Sequence, residues 1–429
     1  MAADAAHRLA ALAAQALGTP LPLRLRAWDG SESGPHDTPV LVVRRRRALH
    51  RLLWQPGELG LARAWVAGEI DVEGDLYEAL DRLTAAVPPD AHALGRRMLR
   101  DGTAVRLAGS LLRLAGPGVP PPPPPEESVR RRGGAHTKRR DQAAISHHYD
   151  VGNDFYARVL GPSMVYSCAY WERPAGTLED AQAAKLDLVC RKLALRPGDR
   201  LLDIGCGWGS MVLHAAEHYG VRATGVTLSV EQADLARKRV AEAGLTDRID
   251  IRVQDYRDVT DGPYDAISSI GMAEHVGQVR YQEYAERAYR LLRPGGRFLN
   301  HQIARRPLDD EAGYRVDAFI DRYVFPDGEL SPVGSTVSSL ERAGFEVRDL
   351  EALREHYALT LRAWVRNLEE HFAEAERLTS RGRARIWRLY MAASALAFER
   401  NRIGVNQVLA VRTAGDGTSS MPLVRGTWN

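Results

Sequence analysis

Three cysteines in 429 residues, Cys168, Cys190 and Cys206, are too few and too widely spaced for a disulfide framework or a zinc site. That scarcity fits a reducing compartment. No apolar run approaches the ~20 residues that a membrane span needs. The alanine-rich N-terminus, with His7 and Arg8, lacks the apolar core and cleavage pattern of a signal peptide. A cytoplasmic protein is therefore expected. The net charge is only +3, too small to imply nucleic acid as a partner. His147 and His148 have no metal-ligand spacing, and no metal site is expected.

What is present is 45% hydrophobic and 26% charged residues, the balance of a globular protein long enough for two domains. The charge is unevenly spread. Residues 1–140 hold 21 basic and 15 acidic residues, including the clusters Arg44–Arg47, Arg130–Arg132 and Lys138–Arg140. Such clusters are in most chains a solvated face or linker, and they also suit an anionic membrane surface. Six prolines, Pro120–Pro125, follow Gly116-Pro117-Gly118-Val119 and form a semi-rigid spacer. The expected division is an N-terminal domain at 1–115, a Pro-rich basic linker at 116–140, a catalytic domain at 141–412 and a mobile tail at 413–429. The N-terminal part shows a strand at Pro39–Arg44 and helical spacing at Leu49–Leu53, Leu59–Val66 and Leu76–Thr84, but no catalytic constellation. A lipid-binding or scaffolding role is expected for it.

After the spacer the pattern alternates. Strands are expected at Arg200–Ile204, Arg222–Val226, Ile249–Val253, Tyr264–Ile270 and Arg297–Gln302, with helices at Leu178–Leu193, Met211–His218, Val230–Ala243 and Tyr281–Leu292. This rhythm predicts an α/β, Rossmann-like, doubly wound sheet whose ligand sits at the carboxyl ends of the strands. Residues 305–385 read as a helical insertion, Ile386–Phe398 as a further helix and Val405–Val411 as a closing strand.

Between the first strand and its helix lies Asp203-Ile204-Gly205-Cys206-Gly207-Trp208-Gly209. A dinucleotide site expects Gly-x-Gly-x-x-Gly and an acidic residue about 20 positions on. Here the third glycine comes one residue early, and the second strand ends in Gly225-Val226-Thr227-Leu228-Ser229 without an acid. Thr227, Ser229 and Gln232 would then supply polar contacts. Asp255 would accept from an adenine amino group and Tyr256 would pack on the ring. The spacing points to S-adenosylmethionine, hence to a class I methyltransferase fold.

Longer segments carry a more specific likeness. They are His148–Tyr156, Met164–Trp171, Leu202–Gly209, Gly225–Ser229, Gln254–Asp258 and Ile270–Gly277. Over about residues 141–412 the chain resembles cyclopropane-fatty-acyl-phospholipid synthases and the related mycolic acid methyltransferases. The N-terminal domain and linker resemble the longer, phospholipid-acting branch.

That resemblance implies an enzyme that moves a methyl carbon from S-adenosylmethionine to a cis double bond of a phospholipid acyl chain. The resulting carbocation loses a proton to a bound bicarbonate and closes to a cyclopropane. It implies a bicarbonate cradle of Cys168, Glu274, His301 and Tyr357 with the backbone of Ile303, and places Tyr166, Ser167, Asp203, Gly205, Gly207 and Gly209 at the cofactor. It also implies a homodimer working at the inner membrane face. Tyr170, Trp171, Tyr323, Phe325 and Trp364 are candidates for an acyl tunnel. A close rival removes a chain proton instead and gives a methylene-branched, then methyl-branched, lipid. A remoter one is a small-molecule or nucleic-acid methyltransferase, against which the net negative charge of residues 141–429 argues.

Overall fold

The computed structural model describes residues 4–87, 98–127, 137–138, 140–141 and 151–425. The Arg130–Arg132 cluster, Arg139, His147 and the start of the His148–Tyr156 segment lie outside the described residues. The chain forms two compact units. The first gathers Met1–Val129, Asp317–Val324 and Ser380–Leu396. The second gathers Arg130–Val316, Phe325–Thr379 and Ala397–Asn429.

The first unit holds a four-stranded sheet of β1 (Arg24–Arg26), β2 (Glu32–Ser33), β3 (Val40–Val43) and β4 (Ile70–Glu73), in the order β2-β1-β3-β4. Its helices include Arg47–Trp54, Glu58–Val66, Leu76–Ala86 and Thr103–Ala115. Leu23, Leu25, Val43, Leu49 and Ala64 form its core. This unit does not end at residue 115. The described part of the proline segment packs within it: Arg51 donates to the Pro122 carbonyl at 2.9 Å, and Arg63 makes two 2.7 Å bonds to Glu127. Two pieces of the expected catalytic range also belong to it. Tyr323 donates to Glu127 at 2.9 Å, and Arg385 meets the Trp65 carbonyl at 2.7 Å. A cut at residues 115 and 140 misses these because they depend on side chains far apart in sequence.

The second unit is built on seven strands: β5 (Arg200–Ile204), β6 (Arg222–Thr227), β7 (Ile249–Val253), β8 (Tyr264–Ile270), β9 (Leu292–Arg305), β10 (Glu346–Ala352) and β11 (Ile403–Val411). Their order is β10-β11-β9-β8-β5-β6-β7. Strands β9 to β7 in that order run parallel, and β11 is antiparallel to β9. One face packs on helices Leu178–Leu193, Ser210–Tyr219 and Val230–Glu242, the other on Tyr281–Leu291 and Val333–Arg342. The sheet is doubly wound, as the alternation predicts.

Local signals set these elements. Thr177 caps Leu178–Leu193 by accepting the Asp180 N–H at 3.1 Å, and Glu179 and Asp180 in its first turn oppose Arg191 and Lys192 in its last. Strand β9 begins at Leu292, and Arg293–Gly296 bulges between the pairs Tyr264–Leu292 and Ala266–Arg297. One expectation needs correction. The segment 305–385 is not only helical, since Glu346–Ala352 forms edge strand β10. Its charged sequence hides a strand that needs only one partner.

Candidate active site

The parallel strands converge on the glycine turn after β5. Gly205, Gly207 and Gly209 all have positive φ, at 80°, 53° and 82°. A side chain at Gly205 would lie 2.7 Å from Met272 Cγ, whereas one at Gly207 would meet nothing within 4 Å among the described residues. Gly205 is thus demanded by packing, while Gly207 borders open space where a ligand can approach its backbone. Asp203, at the end of β5, is buried and accepts the Ser268 hydroxyl at 2.7 Å. Burial pushes its carboxyl up to about 6, against the Ser268 hydrogen bond and the Lys185 charge.

The other residues expected at the cofactor are engaged with one another. Ser229 caps Val230–Glu242 by accepting the Gln232 N–H at 3.2 Å, and the Thr227 hydroxyl donates to Gln232 Oε1 at 2.8 Å. Asp255 accepts Arg257 through Nε at 2.8 Å and through Nη2 at 2.6 Å. Burial opposes the charge on Asp255, but these bonds outweigh it and hold the carboxyl below its usual range. Tyr256 stands edge-on to Tyr284.

A second cluster forms where β8 and β9 end. Glu274 follows β8, and its Oε1 accepts the Ile303 N–H at 2.8 Å. The expected backbone contact of Ile303 is therefore made to Glu274 itself. Glu274 Oε2 is buried and has no hydrogen-bond partner among the described residues. Burial pushes this carboxyl up to about 7, the Ile303 N–H acting against it. His301 lies in β9 beside Ile270 of β8 and opposite Gln407 of β11. Its Nδ1 lies 3.2 Å from Gln407 Nε2, and its Nε2 is buried without a partner among the described residues. Burial holds the imidazole well below its usual value, and the Lys185 and Lys192 charges add to this. His301 is neutral near pH 7.

Cys168 and Tyr357 meet at one helix start. The Leu353 carbonyl accepts the Tyr357 N–H at 3.1 Å and the Cys168 thiol at 3.6 Å. Burial raises that thiol well above its normal value, so Cys168 is no thiolate nucleophile. Beside it, Ser167 accepts the buried Lys185 ammonium at 3.1 Å. Burial draws Lys185 down to about 8. The Tyr166–Cys168 segment passes against Gly271, just ahead of Glu274.

An aromatic series links the two regions. Trp208 packs on Tyr156 at 4.8 Å between ring centres, Tyr156 on Tyr166 at 5.7 Å and Tyr166 on Trp364 at 5.4 Å. Trp364 meets Tyr357 at 6.0 Å, and Tyr357 meets Phe398 at 4.7 Å. Of the five tunnel candidates Trp364 joins this series. Tyr170 stacks on His356, Trp171 donates to Thr360, Phe325 packs on His275, and Tyr323 belongs to the first unit. The sequence reading passed over Gln407, Lys185 and Lys192. Their signal was polarity at positions that the apolar pattern places in the core.

Among the described residues no metal-binding group occurs and no helix is long and apolar enough to cross a membrane.

Residues 136–408 match the family described as mycolic acid cyclopropane synthetase. The chain is 44% identical over 410 residues to a Mycobacterium tuberculosis protein named "Probable fatty acid methyltransferase", covering 94% of each. It is 40% identical over 281 residues to the Escherichia coli cyclopropane-fatty-acyl-phospholipid synthase, covering 66% of this chain and 71% of that one. The solved mycolic acid cyclopropane synthase CmaA1, complexed with SAH and CTAB, aligns with a TM-score of 0.59 at 34% identity, over 63% of this chain and 97% of that one. The fold is that of an S-adenosylmethionine-dependent methyltransferase.

Proposed function

The chain belongs to the mycolic acid cyclopropane synthetase family, and from that premise we propose that it adds a methylene bridge across a cis double bond in a phospholipid acyl chain. S-adenosylmethionine supplies the methyl group when bound at the Gly205–Gly209 turn. The π electrons of the alkene would form the new carbon–carbon bond as the bond from sulfur to the methyl carbon breaks, its electron pair staying on sulfur and S-adenosylhomocysteine leaving, and the other alkene carbon is left as a cation. A proton leaves the transferred carbon, and its bonding pair closes the ring.

One observation carries this reading. Glu274 Oε2 and His301 Nε2 are buried polar atoms without partners among the described residues, at the strand ends where the transferred carbon would arrive. An unsatisfied buried polar group costs about 1–3 kcal/mol, so two in one region imply a ligand or a proton acceptor. This donor set suits bicarbonate: a neutral imidazole can donate, and a carboxyl titrating at about 7 can carry the proton that two adjacent anions would otherwise lack. Glu274, His301 and Tyr357 would hold it, and it would supply the base. The aromatic series Tyr166–Trp364–Tyr357 keeps water from the cation and offers it ring faces.

A second reading is favoured by the name of the relative that matches nearly the whole chain, a fatty acid methyltransferase. There the proton leaves the acyl chain, and the product is a branched chain that keeps the whole methyl group.

The acceptor is read as a bilayer surface, on the inner face of the membrane. Helix Thr103–Ala115 supports this. Val105 and Leu112, seven residues apart on one face, are 73% and 52% exposed. Arg106 and Arg113 flank them, also exposed, and complement anionic headgroups. A dimer would bring two such helices to one bilayer; sedimentation reads that state.

The test is incubation with S-adenosylmethionine and liposomes of a cis-monounsaturated phospholipid, followed by mass and NMR analysis of the released acids. A carbon gain with a high-field ring methylene signal is expected. Absence of added carbon in any lipid would sink both readings.

A further inference from the structure

The imidazole of His301 is set by a buried chain of side chains that belongs to no expected catalytic set. Gln407 and His301 face each other across β11 and β9 in direct register. Gln407, His301 and Lys192 are 0%, 2% and 1% exposed. Gln407 Oε1 accepts the Lys192 ammonium at 2.8 Å, and Gln407 Nε2 lies 3.2 Å from His301 Nδ1. Lys192 is held in turn by Glu351, with Asp349 at 3.8 Å.

We infer that Gln407, oriented by Lys192, is a positioning residue that keeps His301 neutral with its ring proton on Nε2, so that the unpaired nitrogen of the site is a hydrogen-bond donor. An ammonium has donors only, so Lys192 must meet the Gln407 carbonyl oxygen. The Gln407 amide nitrogen then faces His301, and it too can only donate. Nδ1 must therefore carry a lone pair. A flipped Gln407 would set two donors against each other beside Lys192, among side chains that are all buried. A protonated imidazole would do the same at Nδ1. The neutral ring has one proton, and the chain assigns it to Nε2.

This deepens the proposed function by giving the anion-holding histidine its donor, but the tautomer does not rest on that reading. The charged groups of this surrounding include Lys185 and Lys192 on helix Leu178–Leu193, Asp349 and Glu351 on β10, Arg297 against the Lys192 carbonyl, Arg425 against Asp349, and Glu274 after β8. Of them Lys185 and Lys192 oppose a charge on His301.

The experiment is nitrogen NMR on full-length protein with 15N-labelled histidine, with the His301 signals identified by their loss in His301→Gln. The expected spectrum has a protonated Nε2 and a bare Nδ1. A protonated Nδ1 in the wild-type protein would overturn the inference, whatever the protein does to lipids. Gln407→Glu, of equal volume, presents oxygens to Nδ1 and should move the proton there or charge the ring. Its kcat should fall ~10–100-fold, the usual effect of losing an outer-shell partner, while KM for S-adenosylmethionine changes less than about twofold. A Gln407→Glu protein with a lower melting temperature but unchanged tautomer and kcat would show a structural role only. If no carbon is added to lipid while Nε2 carries the proton, the proposed function fails and the tautomer assignment stands.

Discussion

The Glu274 carboxylate accepts the Ile303 amide N–H at 2.8 Å, which ties the loop after β8 to the end of β9. The bond fixes one carboxylate oxygen and leaves the other unpaired and buried. One residue therefore both braces the strand ends and leaves a buried oxygen available for the proposed chemistry.

Replacing Glu274 by Gln should lower kcat by about 10²–10⁴, the range for loss of a general acid or base. It should also change the pH dependence of stability. The folded carboxyl titrates at about 7 and the unfolded one near 4.5, so between these values the folded state binds the extra proton. That stabilisation is complete below pH 4.5 and is lost as pH rises through 7. At pH 8 the buried charge costs roughly 3 kcal/mol, so Glu274→Gln should melt higher than wild type there. Calorimetry at pH 8 and pH 5 checks the sign; a variant that melts lower at pH 8 would contradict it.

Gly205→Ala and Gly207→Ala should separate folding from cofactor binding. At Gly205 the new Cβ meets Met272 at 2.7 Å with φ at 80°, and a loss of about 1–3 kcal/mol in stability is expected. At Gly207 nothing lies within 4 Å and φ is 53°. There the cost is about 1 kcal/mol, while S-adenosylmethionine binding weakens. Melting curves with titration calorimetry read both quantities.

Changing Val105 and Leu112 to Asp should reduce flotation with anionic vesicles and leave methyl transfer to detergent-dispersed lipid intact. High salt should weaken binding of the unaltered protein, since each basic side chain near the surface contributes about 1 kcal/mol. Unchanged flotation would remove this helix from the membrane reading.

Stripping carbon dioxide from the buffer should slow the reaction, and added bicarbonate should restore it. An unchanged rate would leave the proton to Glu274 alone.

Much of this architecture is legible in the chain. β5, β7 and β8 and helix Leu178–Leu193 fall where apolar periodicity and caps put them, since their patterns are local and strong. β10 was hidden because its charged residues face no second partner strand. The first unit's share of the C-terminal half was hidden because Arg385, Tyr323 and Glu127 meet only in three dimensions. At the candidate site, Glu274 and His301 are singled out by the family resemblance, not by spacing or composition. Gln407 is not singled out, because its role depends on the register of β11 on β9, which sequence spacing does not carry.

The most direct test of the account is a turnover with S-adenosylmethionine bearing a trideuterated methyl group, on vesicles of a cis-monounsaturated phospholipid. Proton loss from the transferred carbon predicts a cyclopropane ring whose methylene keeps two of the three deuterons. A product that retains all three, with an unsaturated branched chain in place of the ring, would contradict it.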